Sequence, residues 1–223
     1  RTVQSVVESA LSQVANHPVR VFCSGRTDSG VHAIEQVIHF ESETIRTDRA
    51  WLFGGNVNLP SDVNFKWVKV VSDDFHARFS AFARSYKYKI HHDPVRSSLK
   101  ADYFLWEPRP LNIDDMKKAA ASLVGEHDFS CFRGSLCQAK SPIKTIEYIE
   151  IESSRDELII NIKANAFLHH MVRNIVGTLL KIGRGEKDVD WMDSVLDSKD
   201  RKKAGPTAEP QGLYFIKAFY KEI

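Results

Sequence analysis

A chain of 223 residues that is 43% apolar and 27% charged can bury a real core, as one large domain or two small ones, which excludes a disordered segment. Its formal net charge of +2 does not announce a nucleic-acid binder, so any such site must come from local clustering. The three cysteines Cys23, Cys131 and Cys137 form no Cys-x-x-Cys pair and exclude a disulfide framework, and there is no run of about 18 apolar residues to span a membrane.

With no secretory signal visible, a reducing cytosol fits best, and a cytoplasmic protein is expected. Val3, Val6, Val7, Ala10, Leu11 and Val14 recur at helical spacing and predict a first amphipathic helix with Thr2 as its N-cap. The apolar run Val19-Arg20-Val21-Phe22-Cys23 predicts a short strand that ends in a glycine-bracketed loop. Strands are expected over 35–40, 65–71 and 85–91, with a turn-rich stretch over 56–62. Trp51-Leu52-Phe53 and Phe104-Leu105-Trp106 suit either a core or an interface.

Between Arg84 and Lys100 lie five basic side chains (Arg84, Lys87, Lys89, Arg96, Lys100) against the single acid Asp93, with Tyr86, Tyr88, His91 and His92 interleaved. That pattern fits an RNA-facing strand or a solvated one with lysines on its open face. Met116, Ala119, Ala120, Leu123 and Val124 predict a second helix over 114–124, stopped by Gly125. Strands over 146–151 and 158–164 follow, the second with Leu158, Ile160, Ile162 and Ala164 on one face.

The strongest helix is expected over 167–182, with Leu168, Met171, Val172, Ile175, Val176 and Leu179 inward and Arg173 near the exposed edge, in line with His170 and Gly177. A short helix over 191–196, a charged loop over 199–205 and a strand over 213–220 complete the chain. Helices alternate twice with groups of antiparallel-looking strands. This is an α+β pattern of two half-domains, 1–105 and 106–223, divided between Lys100 and Asn112.

The chemistry concentrates in Gly25-Arg26-Thr27-Asp28-Ser29-Gly30-Val31-His32-Ala33. A tight loop after a strand presents one carboxylate beside one guanidinium, and a carboxylate held that way can act as nucleophile, base or metal ligand. An Asx turn, with Asp28 bonding its own backbone, is the plain alternative for an isolated Asp-Ser-Gly. No metal or cofactor is expected. The cysteines lack a second ligand pair, and His169 and His170, adjacent on the predicted helix, would point about 100° apart.

Four ordered motifs carry a resemblance. The Asp28 loop is followed by Phe75-His76-Ala77-Arg78-Phe79-Ser80-Ala81, by Ala83-Arg84-Ser85-Tyr86-Lys87-Tyr88, and by Ala164-Asn165-Ala166-Phe167-Leu168-His169-His170-Met171-Val172-Arg173-Asn174-Ile175-Val176-Gly177. The closing Ala208-Glu209-Pro210-Gln211-Gly212-Leu213-Tyr214 fits as well. Together they resemble the TruA family, transfer RNA pseudouridine synthases that isomerise anticodon-arm uridines at nucleotides 38–40. The likeness runs from Thr2 to the end. Family members open with a strand and a Tyr-Asp-Gly…Gly-Trp-Gln segment, and this sequence starts after it, without an initiator Met.

The resemblance implies a mixed, largely antiparallel sheet of two ferredoxin-like halves, with helices on one side and a central active-site cleft. It implies a homodimer that grips the anticodon stem-loop of one transfer RNA, with no cofactor. It makes Asp28 the nucleophile, Arg173 its partner, Tyr86 the active-site tyrosine and Arg26 the base-flipping residue. Arg78, His76 and Phe75 fall in a segment similar to one that touches RNA, while Arg46 and the stretch holding Gln138 and Lys140 are further RNA-binding candidates. Two other classes compete. A non-catalytic RNA-binding module has no physical reason to keep Asp28, Tyr86 and Arg173 together. A hydrolase would need Gly-x-x-x-x-Gly-Lys-Ser/Thr spacing or a second carboxylate for Mg²⁺, and neither is near Asp28.

Overall fold

The computed structural model describes residues 1–221. Along the chain run α1 (Val3–Ala15), β1 (Phe22–Cys23), β2 (His32–Ala33), β3 (Ile38–His39), α2 (Asp48–Asn58), β4 (Ala83–His92) and β5 (Leu105–Glu107). Then come α3 (Ile113–Ala121), β6 (Gly125–Asp128), β7 (Ile143–Ser153), β8 (Glu157–Ala164), α4 (Met171–Gly183), α5 (Trp191–Ser198) and β9 (Leu213–Phe219). Two compact units emerge: Arg1–Gly25 with Val37–Ala81, and Arg26–Gln36 with the chain from Phe82 on.

In the first unit Thr2 caps α1 as its sequence predicts, accepting from the Ser5 amide while the Ser5 hydroxyl accepts from the Thr2 amide. α1 packs against α2, a helix that no apolar stripe announces: only Trp51 and Gly55 of it are buried, and two adjacent glycines weaken its propensity. Thr47 supplies the start, accepting from the Ala50 amide. β1 pairs antiparallel with β3.

The strand expected over 65–71 does not form. The Asn56 side chain takes both backbone groups of Phe65, donating to its carbonyl (3.0 Å) and accepting from its amide (2.7 Å), so the segment is held by a side chain and not by a ladder. Phe65 and Val68 still pack on the core of Val7, Leu11, Ala15, Val19, Val21 and Trp51.

The second unit is built on a seven-stranded sheet in the order β2-β9-β4-β8-β7-β6, with β5 also on β4. β2–β9 and β4–β5 are parallel and the other pairs antiparallel, which makes the chain α+β, as expected. β5 pairs with β4 from Ile90 onward, past the last β9 partner at Tyr88. The division expected between Lys100 and Asn112 therefore falls inside this unit.

Leu158, Ile160, Ile162 and Ala164 of β8 line one core with Met116, Ala119 and Ala120 of α3, the apolar stripe of α4, and Met192 and Val195 of α5. Val124, expected inward, is exposed, because α3 ends at Ala121 and Gly125, at φ +105°, opens β6 instead of capping a helix. No helix among the described residues is long and apolar enough to cross a membrane.

Where β5 ends, Glu107 is buried with its carboxylate on the Arg184 guanidinium and, at 3.1 Å, on Arg109. Burial works against the charge, but the bonds from Arg184 and Arg109 outweigh it and hold the carboxyl below its ordinary 4.5. A depressed folded pKa means that this contribution is complete above about pH 4.5 and is lost as pH falls through the folded value. Glu107→Gln should therefore cost about 2 kcal/mol at pH 7 in a denaturant titration. The gap from wild type should close as pH falls below 4. A constant gap would mean that shape, not charge, matters there.

Candidate active site

The loop that carries Asp28 belongs to the second unit and is fixed to its sheet on the C-terminal side. The Val31 amide donates to the Asp28 carbonyl (3.1 Å), closing a turn in which Gly30 takes φ +81°. A side chain is strained at that angle, and a Cβ on Gly30 would also lie 3.0 Å from Pro210. Directly after the turn, β2 pairs with β9 through His32 and Ala33, and the Ile34 amide donates to the Phe215 carbonyl (2.8 Å). The carboxylate thus projects from a short turn fixed to the sheet, with its side chain about one third exposed.

Three side chains from around the start of α4 meet it. Arg173 Nη1 donates to Oδ2 at 3.0 Å, His170 Nε2 lies 3.1 Å from Oδ2, and His169 Nε2 lies 3.4 Å from Oδ1. Arg173 is not on an open edge as its helical position predicts, because the segment before β9 covers it. Its Nε donates to the Ala208 carbonyl (2.7 Å), and the Ala208 amide donates back to the Arg173 carbonyl (3.1 Å). One guanidinium so ties the chain ahead of β9 to the Asp28 turn.

The histidines correct a second expectation. α4 begins at Met171, four residues later than the apolar pattern suggests, because His170 adopts a left-handed backbone (φ 62°, ψ 2°) that a right-handed helix cannot contain. The rings do not point apart. They stack at 3.7 Å between centroids and 27° between planes, with both Nε2 atoms toward Asp28. Gly134 donates its amide to the His169 carbonyl (2.8 Å) and leaves room for the ring, since a Cβ there would lie 2.7 Å from His169 Nδ1. The His169 amide in turn meets Cys137 Sγ at 3.4 Å. Burial, helped by His169 and Arg173 and opposed by Asp28, holds His170 below its ordinary 6.5, so it is neutral at pH 7. The ligand atoms of Asp28, His169 and His170 lie within 4.8 Å of one another, close enough to share a metal ion, but the positive charge on this carboxylate is that of Arg173.

Tyr86 and Tyr88, two apart on β4, pack on the same core but are held differently. The fully buried Tyr88 donates its hydroxyl to the Glu209 carbonyl (2.6 Å). Tyr86 stands edge-on to Phe167 (4.9 Å) and Phe215 (5.2 Å). Burial pushes its phenol up to about 12, with Arg84 pulling the other way and the Asp28 carboxylate adding to the rise. Asp28, Tyr86 and Arg173 thus share one electrostatic neighbourhood in the second unit.

Arg26 is exposed on the Asp28 loop, and Gln138 and Lys140 are exposed in the stretch that Arg133 folds by donating to the Cys137 and Ala139 carbonyls (3.0 and 2.8 Å). The remaining RNA candidates belong to the first unit. Phe75 is buried, edge-on to His39. His76 Nδ1 accepts from the Arg78 amide (3.1 Å), which leaves its proton on Nε2, and the exposed Arg78 has its guanidinium 5.6 Å from the Phe79 ring. Arg46 is exposed. The basic run over 84–100 is partly spoken for: Lys100 pairs with Asp156 (2.6 Å) and Glu157 (2.8 Å), and Arg84 donates to the Asn165 carbonyl (3.1 Å).

The profile of the "tRNA pseudouridine synthase" family matches residues 1–80 and 119–221, stretches that hold Asp28, the histidine pair and Arg173, while Tyr86 lies between them. Curated relatives named "tRNA pseudouridine synthase A" include one from Methylococcus capsulatus, 50% identical over all of this chain and 82% of its own length. Others come from Hydrogenovibrio crunogenus (49% identical, 99% of this chain, 84% of the relative) and Coxiella burnetii (50%, 99% and 84%). Among solved structures, a chain of "Crystal Structure of a Cbf5-Nop10-Gar1 Complex" aligns over 97% of this chain and 46% of its own at TM-score 0.41 and 13% identity, too slight a likeness to bear on function. With the profile matching most of the sequence and half-identical relatives matching nearly all of it, the chain belongs to the tRNA pseudouridine synthase family.

Proposed function

We propose that this chain isomerises uridine to pseudouridine in transfer RNA, at positions 38–40 of the anticodon stem-loop, with Asp28 as nucleophile. The observation that carries the reading is the Asp28 carboxylate, one third exposed yet gripped at 3.0 Å by Arg173, on the loop that the family profile covers. The reaction breaks the C1′–N1 bond, joins C1′ to C5 of the same base and releases the C5 hydrogen as a proton while N1 takes one up. Nothing is oxidised or hydrolysed. A carboxylate adding at C6 or C1′ frees the base to rotate, and the site must exclude water meanwhile.

Tyr86 lines the site as a stacking surface. With its phenol pushed up to about 12 it is protonated at neutral pH, and it can relay the proton that leaves C5 in the late step, passing its own on as it takes up the one from carbon. Arg26, exposed two residues before Asp28, fills the space that the flipped base vacates, a step costing a few kcal/mol. Arg46, His76, Arg78, Gln138 and Lys140 contact the RNA, while Phe75, buried against His39, supports its neighbours without touching it, and a cytoplasmic homodimer holds one transfer RNA. What supports these finer assignments is the match of motif to residue, together with the exposure of Arg26, Arg46, Arg78, Gln138 and Lys140.

Tritium release from transfer RNA labelled with [5-³H]uridine, with chelator present, tests the reading, because the C5 hydrogen leaves only when C5 forms the new bond. Wild type should release it. Release that stops in chelator would mean that the isomerisation needs a metal ion, and RNA cleaved without release, only when metal is supplied, would favour a metal-dependent hydrolase. Arg78→Ala should weaken binding several-fold and reduce the slope of log K against log salt by about 1, as loss of one phosphate contact does. An unchanged slope would remove Arg78 from the RNA interface.

A further inference from the structure

We propose that His170, with His169 stacked behind it, is a positioning residue that anchors one oxygen of the Asp28 carboxylate and leaves the other to attack. The inference rests on the isomerase reading and adds residues to which that reading gives no task.

The bonding of the two oxygens is unequal. Oδ2 takes Arg173 at 3.0 Å and His170 at 3.1 Å, whereas Oδ1 has, among the described residues, only His169 at 3.4 Å. Hydrogen bonds weaken with length, so Oδ2 is the anchored oxygen and Oδ1 the one whose lone pairs remain available. The tautomers follow from the surroundings. His169 Nδ1 is buried and has no hydrogen-bond partner among the described residues. An orphaned buried N–H is rarer and costlier than an orphaned acceptor, so the proton of His169 sits on Nε2, toward Asp28. His170, neutral at pH 7, offers an N–H to Oδ2 without adding a second positive charge beside Arg173.

The backbone gives the second, independent observation. His170 occupies the position before the first turn of α4, where Ser, Thr, Asp or Asn ordinarily caps the helix. Its side chain makes no cap bond, and its φ of 62° is a left-handed angle that is costly for a residue other than glycine. What this conformation achieves is the aim of the ring. Strain of this kind gathers where a side chain must be held in one direction. Gly134, which bonds the His169 carbonyl and leaves no room for a Cβ against His169 Nδ1, backs the pair from the other side.

Two substitutions separate positioning from a purely structural turn. His170→Gly removes the donor and relieves the backbone. His170→Gln keeps the backbone cost and restores an N–H donor near the place of Nε2. Single-turnover tritium release, filter binding of transfer RNA and thermal melting would be measured for both beside wild type. His170→Gly should melt no lower than wild type and bind RNA within about twofold, yet react about 10²-fold more slowly, the cost of a misplaced reacting group. His170→Gln should recover most of that rate. A fully active glycine variant, a glutamine variant as slow as glycine, or a loss confined to RNA binding would each overturn the proposal. No release by wild type itself would instead overturn the isomerase reading.

Discussion

Asp28→Ala should lower tritium release by at least about 10⁴-fold, the scale on which enzymes lose rate when their nucleophile is removed. Transfer RNA binding should stay within about threefold of wild type, because affinity for RNA comes mainly from phosphate contacts and a carboxylate makes none. Asp28→Asn should be equally inactive. It keeps the shape of the side chain and one carbonyl oxygen, but an amide is not a nucleophile, and its NH₂ would face donors: Arg173 Nη1 and the Nε2 atoms of His169 and His170. Folding should survive either change. The side chain is one third exposed, so water can solvate the partners left behind, and Arg173 keeps its 2.7 Å bond to the Ala208 carbonyl. The measurement is release and filter binding on the same preparations. An Asp28→Ala protein that still releases tritium would remove Asp28 as nucleophile, and one that neither reacts nor binds would make it an RNA contact.

The parts of this fold that sequence makes legible are those governed by one local rule. Alternation along Leu158, Ile160, Ile162 and Ala164 predicts a buried strand face, and all four are buried. Thr2 and the 3–4 spacing of valines and leucines behind it predict α1. Elements decided by a partner distant in sequence are not legible in that way. Whether 65–71 forms a strand depended on the Asn56 side chain reaching Phe65, and α2 forms with only Trp51 and Gly55 buried.

The site divides along the same line. Asp28 and Arg173 stand out through their motifs, but their 3.0 Å contact spans 145 residues and needs β2 on β9 and Ala208 on Arg173 to bring it about. The histidines escape the local rule for a different reason. Helical periodicity carries Leu168 and Met171 on one stripe and so runs the helix through His169 and His170. Nothing in residue type marks a histidine that takes a left-handed angle. Had the helix begun at 167, the two rings would have diverged and Asp28 would have met Arg173 alone.

Gly177→Ala should be the most damaging single methyl in the second unit. Alanine is the better helix former by about 1 kcal/mol, so propensity alone predicts a gain. Geometry reverses it. A Cβ on Gly177 would lie 1.7 Å from the Pro206 carbonyl oxygen and 2.9 Å from its carbon, and these are backbone atoms that cannot turn aside as a flexible side chain could. The segment cannot retreat cheaply. The Gly205 amide donates to Thr178 Oγ1 (2.9 Å), Arg201 donates to the Gly205 carbonyl (2.8 Å), and Thr207 Oγ1 donates to Asn174 Oδ1 (2.6 Å). Overpacking of a tight contact costs about 1–3 kcal/mol, and the broken bonds add to it, so a net loss of about 3 kcal/mol is expected. In a chain of this length that lowers Tm by roughly 10 °C.

The same displacement reaches the chemistry, because Ala208, two residues beyond Pro206, carries the carbonyl that holds Arg173 Nε. Activity measured well below the lowered Tm should therefore fall too, with Arg173 free to leave Asp28. A variant that melts as high as wild type would show that residues 205–208 do not lie on α4. One that melts low yet reacts at the wild-type rate would show that Arg173 does not need Ala208 to hold the carboxylate.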